Sequence, residues 1–78
     1  MNDARVLDLC CKLGCSVSSF SEESNYNNVV ALLESYAPST AENYIWRLHR
    51  CLASQPEFPP DMLKKYYDLL MHYKKLYR

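Results

Sequence analysis

Glycine is almost missing from this sequence. The 78 residues include one, Gly14, which rules out the glycine-rich loops whose backbone amides close around a phosphate. A Gly-x-Ser-x-Gly nucleophile elbow and a His-Glu-x-x-His zinc helix are missing as well. No apolar run nears the ~20 residues that cross a bilayer. The start, Met1-Asn2-Asp3-Ala4-Arg5, lacks the basic opening and apolar segment of a secretory signal. The expectation is an intracellular protein, cytoplasmic or nuclear, with reduced thiols and no membrane contact. Strand-like alternation, internal repeats and low-complexity segments are lacking too. Net charge is zero, so the chain is not coated in positive charge.

What is present is helical. Hydrophobic residues make up 49% of the chain and seven of them are tyrosines, too apolar a composition for disorder. A chain this short buries only about 60–65% of its unfolded surface, so its core is small. The pattern predicts an all-α fold: a single compact domain over residues 1–78, resembling a four-helix bundle, with helices at about 4–13, 22–37, 40–54 and 62–77.

The third of these is the most sharply marked. Ser39 and Glu42 stand in capping-box spacing, the hydroxyl suited to the Glu42 N–H and the carboxylate reaching back to the Ser39 N–H. Thr40 is the rival cap. Behind them Ala41, Ile45, Leu48 and Leu52 recur on one helical face, widened by Tyr44 and Cys51. Trp46 falls between the faces and needs a second packing partner or an external one.

The other helices follow from the same logic. Asp3 is a candidate cap for the first, Val6, Leu9, Cys10 and Leu13 line it, Leu7 and Cys11 broaden it, and Gly14 stops it. Residues 15–20 read as a connection from which Phe20 is drawn inwards. The second helix begins near Ser21 or Ser24 and ends by Ala37, because the residue before Pro38 is biased out of helical geometry. Gln55 to Pro60 reads as a stiff linker, with Phe58 as a plug at the end of the bundle and Asp61 as the cap of the last helix. Val30, Leu33, Ile45, Leu48, Leu52, Leu63, Tyr66 and Leu70 are the expected core.

Charge is unevenly spread. Residues 1–37 set two basic groups against five acids, net −3, and residues 61–78 set five basic groups against two acids, net +3. That polarity suggests one anionic contact surface, or self-association between unlike faces.

Candidate chemistry is sparse. Cys10, Cys11, Cys15, His49 and Cys51 are soft donors, but their spacing is not that of a zinc turn, and Cys10 and Cys51 read as small core residues. No metal site, cofactor or catalytic residue is expected. His49 and His72 read as surface or boundary residues, and the serines of residues 16–24 as loop and cap chemistry. In the last helix tyrosines and lysines separate by helical angle, which favours a core face with a solvated basic face over a mixed contact surface.

Ser39-Thr40-x-x-x-Tyr44-x-x-x-Leu48-x-x-x-Leu52, preceded by the apolar helix from Val29 to Tyr36, resembles the N-terminal SAM-like core-binding domain of tyrosine recombinases and phage-type integrases. The resemblance covers about residues 26–73. It implies a helical bundle that clamps DNA, with Thr40, Asn43, Arg47 and Arg50 as backbone contacts. The catalytic constellation of that family has no counterpart here, so no tyrosine inherits a nucleophile's role.

Two functions follow as expectations. The first is a non-catalytic interaction module working through protein contacts, with a protein partner or by self-association as a homodimer, and with Trp46, Tyr67 and Tyr77 on its surface. The second is a DNA- or RNA-binding domain in which Arg47, Arg50, Lys64, Lys65, Lys74, Lys75 and Arg78 meet phosphates, which requires them to converge on one surface.

Overall fold

A computed structural model describes residues 4–76; the expectations placed on Asp3, Tyr77 and Arg78 lie outside that range. Four α-helices occur among the described residues: α1 (Ala4–Leu13), α2 (Glu23–Glu34), α3 (Pro38–Ala53) and α4 (Pro60–Leu76). A 3₁₀ helix, Val17–Ser21, stands between α1 and α2. The all-α, bundle-like architecture is the one the sequence predicts.

Helix α1 buries Val6 and Leu9, while Leu7, expected to broaden the apolar face, is 50% exposed. The helix ends in a Schellman turn. Gly14 takes φ +65°, and the Cys15 N–H reaches back to the Cys10 carbonyl at 3.1 Å. Nothing lies within 4 Å of the site a Cβ would take at Gly14, so the backbone angle, not space, calls for glycine there.

The connection after it is more ordered than expected. Ser19 and Glu22 donate backbone bonds to the Ser16 and Ser19 carbonyls, both at 3.0 Å, which closes the 3₁₀ turns. Asn25 Nδ2 adds a bond to the Ser19 carbonyl at 2.7 Å. This turn drives Phe20 fully into the core. Helix α2 then stops three residues before Ala37. Ser35 Oγ donates to the Leu32 carbonyl at 2.6 Å. The Ser35 and Tyr36 N–H groups bond back only three residues, to Leu32 and Leu33, and this tightens the last turn and ends the helix.

The start of α3 corrects the capping-box expectation. Ala37 is the N-cap, extended at φ −62° and ψ 148°, and Pro38 is already inside the helix. The Ala41 N–H closes the first turn on the Ala37 carbonyl at 2.9 Å, with no side-chain cap. Proline lacks the N–H that a first-turn residue leaves unused and presets its φ, so it opens a helix as readily as it interrupts one. Neither Ser39 nor Thr40 is the cap. The same correction holds for α4: the Leu63 N–H bonds to the Pro59 carbonyl at 3.0 Å. Pro60 is therefore helical, and Asp61 sits in the first turn rather than at the cap. There its charge still favours the positive end of the helix dipole.

Helices α3 and α4 form a hairpin and make the most extensive packing in the fold, with α1 and α2 laid against them. The radius of gyration is 11.4 Å, against about 11.5 Å for a close-packed chain of this length. Of the expected core, Leu33, Ile45, Leu48, Leu52, Tyr66 and Leu70 are buried, whereas Val30 and Leu63 are half-buried and pack at its edge. Val29, Leu69 and Tyr73 take interior positions instead. Tyr66 is the hub. Its ring meets Phe20 and Tyr26 edge-on at 6.4 and 5.1 Å and Phe58 at 6.2 Å. Its hydroxyl donates to the Phe20 carbonyl at 2.8 Å, and burial pushes its pKa up strongly.

A second tie joins α1, α3 and the turn after α2. Tyr44 donates to Asp8 Oδ2 at 2.8 Å, and Lys12 bridges to the same oxygen at 3.1 Å. Tyr36 stacks on Tyr44 at 5.1 Å. Tyr44 above all, then Lys12, holds the Asp8 carboxyl below its ordinary pKa.

Candidate functional site

The outer side of α3 carries Thr40, Asn43 and Arg50, all exposed, and Arg47, half-buried. Trp46 is 37% exposed beside them. The guanidinium groups of Arg47 and Arg50 lie 5.3 and 5.0 Å from the Trp46 ring centre, a double cation–π arrangement that holds the indole at the surface. Of the second packing partner or external partner expected for Trp46, its own helix supplies part of the first.

Three residues on from Trp46, and so on the same side of α3, His49 turns towards α4. Its ring lies 5.6 Å from that of Tyr67, which is 46% exposed. His49, Pro60, Leu63, Lys64 and Tyr67 line a shallow groove of about 300 Å³ between the two helices. Burial lowers the His49 pKa below its ordinary value, so the imidazole is neutral at pH 7. Lys64 stands at the rim, bridged to Asp68 at 3.0 Å across one exposed helical turn.

Of the basic residues expected to meet phosphates, the described ones are divided between α3 and α4. Lys65 turns to the other flank of α4, bridging Glu23 of α2 at 3.5 Å and lying 4.9 Å from the Tyr26 ring centre. Lys74 and Lys75 are exposed in the last turn of α4. Thr40, Asn43, Arg47 and Arg50 do share the outer face of α3, as their spacing requires.

The sequence expectation missed His49, Leu63 and Pro60 as site residues. The available signal was the pairing of His49 with Trp46 at i,i+3 beside an apolar stripe. It becomes informative only once α4 is known to pack there.

Among the described residues no constellation for covalent or metal chemistry stands out. Burial raises the Cys10 and Cys15 thiol pKa values, which leaves them weakly nucleophilic, and none of the four cysteines is disulfide-bonded. Among the described residues no three of His, Cys, Asp and Glu gather to hold a metal ion. Likewise, no described helix is long and apolar enough to cross a membrane. No protein-family model, curated protein or solved structure matches the chain.

Proposed function

We propose that the domain is a non-catalytic interaction module that binds a protein partner through the face shared by α3 and α4. The observation that supports it is the pair of His49 and Tyr67 lining an open groove, with exposed Trp46 one turn before His49 on α3: large aromatic surface left wet in a chain with little core to spare. Half-exposed aromatics of low conformational entropy are the groups that anchor protein contacts. The groove volume is at the bottom of the range for small-molecule sites, which suits one or two anchoring side chains better than a whole ligand. The nucleic-acid reading draws support from the outer face of α3, but the placement of Lys65 on the α2 side of α4 weighs against it.

A display selection tests this. Random peptides are selected against the wild-type chain, then screened against Trp46→Ala and Tyr67→Ala proteins shown to fold. Enriched sequences that lose binding to both variants are the expected result. An empty selection, or peptides indifferent to both substitutions, would sink the reading.

A further inference from the structure

Lining chemistry says which kind of partner the groove fits. Its lining residues with a polar group are Lys64, Tyr67 and His49, all able to donate a hydrogen bond, and no carboxylate residue is among them. Its remaining walls, Pro60 and Leu63, are apolar. Trp46, one turn before His49 on α3, has two guanidinium groups near its ring. The acids of this region are Glu42, one turn before Trp46 on α3, Glu57 in the connection, Asp61 next to Pro60 and one turn before Lys64, and Asp68, all outside the lining. Asp68 is engaged with Lys64 in an exposed pair of the kind that exchanges partners at little cost.

We infer that the groove takes an acidic amphipathic segment of a different protein, in which an apolar side chain enters between His49, Leu63 and Tyr67 and flanking carboxylates meet Lys64 and Arg50. The inference rests on the protein-contact reading above. A second copy of this chain is a poorer occupant: a two-fold pairing of the groove face brings together two linings that each carry Lys64 and no carboxylate residue to meet it. A basic partner meets the same mismatch.

The test uses the full chain, labelled for amide NMR, and three end-blocked helical peptides. All share one leucine and phenylalanine face, and their polar positions are all Glu, all Gln or all Lys. The Glu peptide should bind about tenfold more tightly than the Gln peptide, with the Lys peptide weakest. Its shifts should centre on His49, Lys64, Tyr67 and the Trp46 indole, and its affinity should fall with added salt. Lys64→Glu and Arg50→Glu, both at exposed positions, should each weaken it by about threefold to tenfold.

Equal affinity for the three peptides, shifts mapping elsewhere, or no binding by the Glu peptide overturns the inference. So does a dimer in sedimentation that Trp46→Ala dissociates, or a single-stranded oligonucleotide that outcompetes the Glu peptide on this face. The display selection separates the two failures. Enriched sequences that need Trp46 and Tyr67 but carry no acids remove the acidic partner and leave the contact surface standing.

Discussion

The hydroxyl of Tyr66 donates to the backbone carbonyl of Phe20 at 2.8 Å, a bond buried in the core that joins residues 46 apart in sequence. It fixes the 3₁₀ turn against α4 and gives the one polar atom of a buried aromatic its partner. Tyr66→Phe keeps the ring contacts and leaves that carbonyl unpaired, which should cost about 1–3 kcal/mol. Tyr66→Ala also opens a cavity and should cost about 3–5 kcal/mol, which a domain this small is poorly placed to survive. Urea melts of the two variants separate the hydrogen bond from the packing.

At the start of α3, Ala37 provides the cap and Pro38 the first helical residue. Ser39→Ala should therefore be nearly silent, within about 0.5 kcal/mol, and so should Thr40→Ala. Pro38→Ala should destabilise by about 0.4–1 kcal/mol, because it frees the unfolded chain at a position whose φ already suits proline. Thermal melts of the three variants check the order. A Ser39→Ala loss near 1 kcal/mol would restore the capping box.

Both misplaced caps have one physical cause. Apolar periodicity made the helices and most of the core legible: Ala41, Ile45, Leu48 and Leu52 are all buried, as one helical face demands. Helix ends were less so, because a proline reads equally as a terminator or as a first residue, and only the backbone tells which. Phe20 was legible as a buried residue, but its 3₁₀ turn was not, since short serine-rich stretches carry no period. Trp46 and Tyr67 were legible as surface aromatics. The groove was not, because it depends on the face that α4 presents to His49, and that comes from tertiary packing.

Gly14 offers a test of backbone against packing. Its φ of +65° is left-handed and there is empty space where a Cβ would go. Gly14→Ala should cost about 1–2 kcal/mol from backbone strain alone. Gly14→Asn should cost less, because asparagine tolerates this region better. Equal losses in chemical denaturation would mean that the Schellman turn does not set the angle.

His49 gives the fold a pH dependence of definite sign. Burial lowers its pKa, so the unfolded chain takes up a proton more readily than the folded one near pH 6.5. The stability it contributes is whole above about pH 6.5 and falls as pH drops from there towards the folded pKa. A stability profile between about pH 7.5 and 5 should slope down on the acid side for the wild type. His49→Gln should flatten that limb, and an unchanged slope would place the titration on another group.

Two stacked tyrosines should answer the same substitution with different signs. Tyr44 donates to Asp8 at 2.8 Å. Tyr44→Phe removes that donor, should lower the stability, and should return the lowered Asp8 pKa towards its ordinary value. Tyr36 stacks on Tyr44, yet its own hydroxyl oxygen is buried with no hydrogen-bond partner. Lys12 lies 5.9 Å from the Tyr36 ring centre, and its pKa is raised by Asp8 first and by Tyr36 second. Removing an unpaired buried oxygen releases its desolvation penalty, so Tyr36→Phe should be neutral or stabilising by up to about 1 kcal/mol. The pair forms its own control, because ring stacking is kept in both variants. Denaturation midpoints measured side by side decide it, and a loss at Tyr36 as large as that at Tyr44 would mean that Lys12 closes onto the Tyr36 hydroxyl in solution.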